Sequence, residues 1–224
     1  MTGGHTKVTS GADGFAFGAY DVEPQGERRG ALVLIQEIFG LNDNIRALAD
    51  RYAGAGFEVI APSLYDRLQP GFTAGYDEDG IATGRAMAQA ADWDLVSADL
   101  QACIDGLQGP VFVAGYCWGG SATWVAACRC TGVAAASAFY GRLIVNFLDE
   151  TPRSPIVLHY GDRDPTIPMS DVDQVRAAHP HLPVHVYEAG HGFFSDRRTD
   201  YAPEAAALAW RRTLQFFADH GQRA

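Results

Sequence analysis

Cysteine is scarce in this chain: four in 224 residues, at Cys103, Cys117, Cys128 and Cys130. None is paired as C-x-x-C, so neither a disulfide framework nor a zinc site is expected, and the thiols should be free. Cys128-Arg129-Cys130 reads as two small apolar residues near a helix end. Basic residues are outnumbered as well, with 17 Lys plus Arg against 27 Asp plus Glu and a formal net charge of −10. Without a basic run to displace counterions, a nucleic-acid partner is excluded, and an anionic small molecule would need arginines placed locally. No stretch approaches the ~18 consecutive apolar residues that cross a bilayer. The segment from Met1 to Gly30 lacks the basic-then-apolar order of a secretory signal, so no membrane partner and a cytoplasmic location are expected. Repeats, low-complexity tracts and long linkers are missing too, which leaves a single domain over 1–224, expected to act as a monomer.

What is present is the composition of an ordinary globular domain, 47% apolar and 20% charged. Short apolar runs recur at Ala31–Ile35, Phe57–Ala61, Val111–Ala114, Val133–Phe139, Ile156–Tyr160 and Val184–Tyr187. Near-continuous runs of this kind are strands covered on both faces. Between them lie amphipathic stretches, Asn44–Ala55, Asp94–Leu107, Ser121–Ala127, Asp171–Ala178 and Pro203–Asp219. Strand alternating with helix predicts an α/β fold, with a mostly parallel central sheet and helices on both faces. Phe15–Val22 alternates loosely and is expected to supply an antiparallel edge hairpin.

Ligands of such sheets sit off the carboxyl ends of the strands, so the residues just past each run carry the most information. Gly115-Tyr116-Cys117-Trp118-Gly119 follows one strand and precedes an Ala-rich helix. That is the setting of a nucleophile elbow, with cysteine where serine is usual: the glycines leave room for a strained turn that lifts the central side chain over the sheet edge. Unpaired N–H groups at the start of the following helix would stabilise negative charge on the sulfur. A thiol nucleophile needs an imidazole base and a carboxylate to hold its tautomer. Cys117, Asp164 and His191 occur in the expected chain order. Asp162 competes for the acid role, and Asp164, deeper in the loop before Pro165, is favoured. Of the histidines, His191 alone lies between glycines just past a strand.

These motifs together resemble the dienelactone hydrolase (carboxymethylenebutenolidase) family, within the α/β-hydrolase fold. The likeness runs from Gln36-Glu37-Ile38-Phe39-Gly40 through Ala61-Pro62-Ser63-Leu64-Tyr65 and the Cys117 motif to Gly161-Asp162-Arg163-Asp164 and His191-Gly192-Phe193-Phe194. The resemblance implies a triad of Cys117, Asp164 and His191, with Glu37 as the family's fourth residue, tied to the resting thiol and displaced by substrate. Backbone N–H groups of Ile38 and Trp118 should form the oxyanion hole. It also implies a small-molecule lactone or ester substrate, opened through an acyl thioester, and calls for no cofactor or metal. Phe39, Trp118, Phe193 and Phe194 are expected to form an apolar wall. Family members that hydrolyse dienelactone hold its carboxylate with arginines in the helix before the nucleophile strand and shortly after the histidine. This sequence departs from them, with Ile81 and Ser195 at those places; Arg85, one turn along, and Arg198 are the candidate substitutes. The other readings are a broader carboxylesterase or thioesterase, a thiol redox protein, and a ligand-binding scaffold on the same fold.

Overall fold

The computed structural model describes residues 3–221. The apolar runs form strands β1 (Gly4–Thr9), β2 (Ala16–Val22), β3 (Gly30–Ile35), β4 (Phe57–Pro62), β5 (Val111–Tyr116), β6 (Val133–Phe139), β7 (Ile156–Gly161) and β8 (Val184–Tyr187). They make one eight-stranded sheet in the order β1-β2-β4-β3-β5-β6-β7-β8. β1 pairs antiparallel with β2, and β2 with β4; every other pairing is parallel. The helices are α1 (Asp43–Gly54), α2 (Glu78–Ala90), α3 (Trp93–Asp105), α4 (Trp118–Arg129), α5 (Met169–Ala178) and α6 (Pro203–Gly221), with a 3-10 turn at Arg142–Phe147. All six residues of β3 and of β5 are buried, because α1 and α4 pack on β3 from their places after the two strands and α3 joins α4. α1 and α6 meet through Tyr52 and Trp210, whose rings lie 4.5 Å apart.

The alternating pattern matches the strands that are covered and gives no signal for two elements that lack an apolar face. β1 is exposed along almost its whole length, so its sequence carries no burial signal and the edge hairpin extends further toward the N-terminus than Phe15. α2 buries only Gly80 and Gly84 and is held at its start by Asp77, which accepts a hydrogen bond from the Gly80 N–H at 2.8 Å. α4 begins at Trp118 rather than Ser121. It is buried from Trp118 to Cys128, and a helix covered on every side has no stripe to mark its ends.

One buried ion pair ties the loop after β4 to the rest. Arg67 donates through Nε and Nη2 to Asp99, both at 2.8 Å, and through Nη1 to Asp13 at 2.7 Å; Asp99 is 1% exposed. Arg67→Ala would strand the Asp99 charge in the interior. A loss of about 3 kcal/mol in urea unfolding is expected, and a loss under about 1 kcal/mol would show that Asp99 finds another partner.

Candidate active site

Cys117 joins β5 to α4 with φ 58° and ψ −116°, a left-handed conformation that a residue with a Cβ adopts at a cost. The strain persists because the surroundings hold both sides of the turn. The Cys117 N–H donates to the Phe139 carbonyl of β6 at 3.0 Å, and the Cys117 carbonyl accepts from the Gly120 N–H at 3.0 Å. Glycine is required next door: a Cβ on Gly119 would collide with the Gln36 carbonyl at the end of β3. The sulfur is thereby raised, half-buried, at the carboxyl edge of the sheet.

The three side chains expected to converge do so. The Cys117 sulfur lies 3.1 Å from His191 Nε2, and His191 Nδ1 lies 2.6 Å from Asp164 Oδ2. Asp164 is held by its other oxygen, which accepts from the Thr166 N–H and hydroxyl, each at 2.8 Å, and from the Ile167 N–H at 3.2 Å. Burial pushes the Asp164 carboxyl up, but its bonds to His191 and Thr166 outweigh that and leave it below its ordinary value. Burial likewise disfavours the His191 cation, yet the facing Cys117 sulfur and Asp164 carboxylate raise its pKa above the usual imidazole range. Asp162 takes a different part: it accepts from the Ala189 N–H at 3.2 Å and closes the turn. Neither Thr166 nor its bond to the acid was anticipated.

Glu37 is 1% exposed, just past β3. One oxygen accepts from the Asn44 side chain at 3.4 Å and from the Tyr76 hydroxyl at 3.3 Å; the other has no hydrogen-bond partner among the described residues. Ser195 donates to Asn44 in turn at 3.1 Å, so the residue standing where the family carries an arginine supports Glu37 from behind. The expected bond between Glu37 and the Cys117 thiol is not made. Asn44 and Tyr76 hold the carboxylate while His191 takes the sulfur. Burial raises the Glu37 pKa, and the charges of Arg198 and His191 counter it only in part.

That raised value couples function to stability. A carboxyl whose folded pKa lies above its unfolded value of 4.5 helps the fold below pH 4.5 and loses that help as pH rises through the folded pKa. Glu37→Gln is therefore expected to raise the unfolding temperature at pH 7.5 with no gain at pH 4, while kcat falls by about 10- to 100-fold. Equal unfolding temperatures at pH 7.5 would mean that the carboxylate is not strained there.

The Ile38 and Trp118 N–H groups donate to no acceptor among the described residues, as an oxyanion hole requires. Gly84 of α2 abuts the Ile38 loop, and a Cβ there would stand 2.6 Å from the Ile38 carbonyl. Gly84→Ala should shift that loop and lower kcat about tenfold with KM little changed; wild-type kcat would show that the loop yields without moving its N–H.

The remaining candidates separate. Phe39 is buried against Tyr76, with ring centres 4.5 Å apart, and the Arg198 guanidinium lies 5.6 Å from both rings, beside Glu37. Phe194 lines a cavity of about 170 Å³ together with Glu37, Asn44, Arg51, Tyr116 and Tyr140; Cys117, Asp164 and His191 are not part of that lining. Phe193 is 0% exposed beneath Tyr140 and Tyr187 and belongs to the core rather than to a wall. Trp118 stacks on Trp93 at 5.4 Å and is buried as well. Arg85 corrects the expectation of a second substrate arginine: it is exposed on α2, where the buried face consists of glycines, and it pairs with nothing among the described residues. No group of three or more His, Cys, Asp or Glu suited to a metal occurs among the described residues, and no described helix is long and apolar enough to cross a membrane.

The sequence model of the dienelactone hydrolase family matches residues 17–221. A carboxymethylenebutenolidase from Pseudomonas putida is 32% identical over 219 residues, covering 92% of each chain. A Synechocystis sp. protein assigned the same activity is 35% identical over 208 residues, covering 83% of this chain and 84% of the other. Among solved structures, a dienelactone hydrolase homologue from Klebsiella pneumoniae superposes with a TM-score of 0.84 at 27% identity, over 97% of this chain and 99% of that one.

Proposed function

The chain belongs to the dienelactone hydrolase family of α/β-hydrolases, and from that premise we propose that it opens lactones or enol esters with Cys117 as nucleophile, through an acyl thioester. The observation that carries this reading is the continuous line from Cys117 Sγ through His191 to Asp164, at 3.1 and 2.6 Å, on a strained elbow. The thiolate adds to the ester carbonyl, and the π pair moves to oxygen, where the Ile38 and Trp118 N–H groups can receive it. Collapse breaks the ring C–O bond; the departing oxygen takes its proton from His191. Water then gives a proton to His191 and adds to the thioester, and sulfur leaves with the bonding pair. A thiolate is expelled from a tetrahedral adduct ahead of a poorer leaving group, so enolates and phenolates suit this site and simple alkoxides and amines do not.

Glu37 is proposed to take the proton of the resting thiol when substrate displaces the carboxylate. Its unpaired oxygen and its raised basicity support that role. The buried state of Cys103, Cys128 and Cys130 favours hydrolysis over redox chemistry, which would need an accessible second thiol. Arg198 is the proposed handle for a substrate carboxylate: Arg198→Ala should raise KM for an anionic lactone and leave a neutral ester unaffected, and equal effects on both would end charge recognition. The direct test of the whole reading is mass spectrometry after mixing with p-nitrophenyl acetate. A hydroxylamine-labile acetyl group on the Cys117 peptide is expected; turnover that survives Cys117→Ala would refute the mechanism.

A further inference from the structure

Tyr140 is the other residue with a Cβ in the left-handed region among the described residues, at φ 39°. It stands immediately past β6, next to the strand that carries Cys117. A backbone held in that region by a bulky residue is unfavourable, and glycine or asparagine would fit it more easily. What keeps the turn in place is a set of fixed partners. The Tyr140 N–H donates to the His159 carbonyl at 2.7 Å. His159 is itself locked by the Tyr187 hydroxyl at 2.8 Å and the Thr213 hydroxyl at 3.2 Å. Strain of this kind, maintained by its surroundings beside a reactive centre, points to a side chain that is needed where it is.

The side chain lies between the imidazole and the cavity beside Glu37. Its ring stands edge-on to His191 with centres 5.1 Å apart and is 6.2 Å from Tyr116. It lines the same cavity as Glu37. The hydroxyl makes no hydrogen bond to another of the described residues; the residue is 1% exposed overall and opens on that cavity. Burial, followed by the charges of Glu37 and Cys117, keeps the proton on the phenol, so the group can only act as a neutral donor or acceptor. A hydroxyl without a protein partner, on a ring that stands beside the imidazole and lines the Glu37 cavity, is suited to a substrate oxygen.

Resting on the hydrolase reading above, we propose that Tyr140 is a further catalytic residue whose hydroxyl donates a hydrogen bond to the leaving oxygen during acylation and to the attacking water during thioester hydrolysis. The proton stays on Tyr140 throughout. His191 supplies the proton that neutralises the leaving oxygen and removes the one from water, and the C–O bonding pair goes to the leaving oxygen. The oxyanion-hole N–H groups of Ile38 and Trp118 serve the carbonyl oxygen, so the two sets of donors stabilise different atoms.

The test is a leaving-group series of aryl and alkyl acetates with the wild type, Cys117→Ala, Tyr140→Phe and Tyr140→p-aminophenylalanine. Tyr140→Phe keeps the ring and its packing. It should lose about 10- to 100-fold in kcat with KM unchanged, and the loss should grow as the leaving group becomes more basic. The amino variant, which retains a para donor, should recover most of that loss. The pH profile of iodoacetamide alkylation at Cys117 should match the wild type in both. Wild-type kcat across the series in Tyr140→Phe, or a loss accompanied by a shifted alkylation profile, overturns the proposal while leaving Cys117-dependent turnover intact. Turnover that persists in Cys117→Ala would instead sink the hydrolase reading, and this inference with it.

Discussion

Asp164→Asn should lower kcat by about 10³- to 10⁴-fold while KM and the unfolding temperature stay close to wild type. The size of the loss follows from which atoms are already committed. Asp164 Oδ1 accepts three hydrogen bonds, from the Thr166 N–H, the Thr166 hydroxyl and the Ile167 N–H. An asparagine must leave its oxygen there, because its NH2 group would face those donors with hydrogens of its own. The NH2 then occupies the Oδ2 position, 2.6 Å from His191 Nδ1. Nδ1 is forced to accept, so the ring proton moves to Nε2, and Nε2–H points at the sulfur. An imidazole in that tautomer cannot take a proton from the thiol. The packing is nearly isosteric, which is why the fold should survive. Steady-state kinetics and a thermal melt on one preparation decide it. Activity within tenfold of wild type would mean that the acid holds no tautomer and that the short contact is structural.

The meeting of Cys117, His191 and Asp164 was legible because each sits in the first few residues past a buried strand, where local sequence and the rule for parallel sheets coincide. Cys117 and His191 have glycine neighbours that mark their turns, and Asp164 lies just past β7. Tyr140 satisfies the same rule, one residue past Val133–Phe139, and that position is the signal by which it could have been found. Asn44 and Tyr76 were not legible. They reach Glu37 from the start of α1 and from the loop before α2, and nothing in a sequence records the path of a loop. Helix phase misled at Arg85, since α2 has no apolar stripe to say which side faces the sheet. Phe193 and Phe194 are adjacent, yet one is core and the other lines the cavity; their alternation is set by a turn at Gly192, whose φ is 77°.

Cys117→Ser should also be severe, on the order of 10³-fold or more in kcat, although serine is the usual occupant of such an elbow. The environment explains why the exchange is not neutral. Burial works against the His191 cation, and its pKa reaches about 10 because the Cys117 sulfur and then Asp164 overcome that burial. At 3.1 Å, a negative charge on the sulfur and a positive one on the ring would support each other. A serine hydroxyl cannot carry the negative half of that pair at any working pH. With the sulfur charge gone, only Asp164 opposes burial, and the imidazole pKa should fall well below 10. Proton NMR titration of His191 in the two proteins measures this directly. The sign is fixed by linkage: a His pKa raised above its unfolded value of 6.5 lends stability below pH 6.5 that disappears as pH rises through about 10. The serine variant should lose its share of that stability earlier in an alkaline titration. Unchanged His191 titration in Cys117→Ser would show that the sulfur carries no charge in the resting protein, leaving Glu37 as the group that must take the thiol proton before attack.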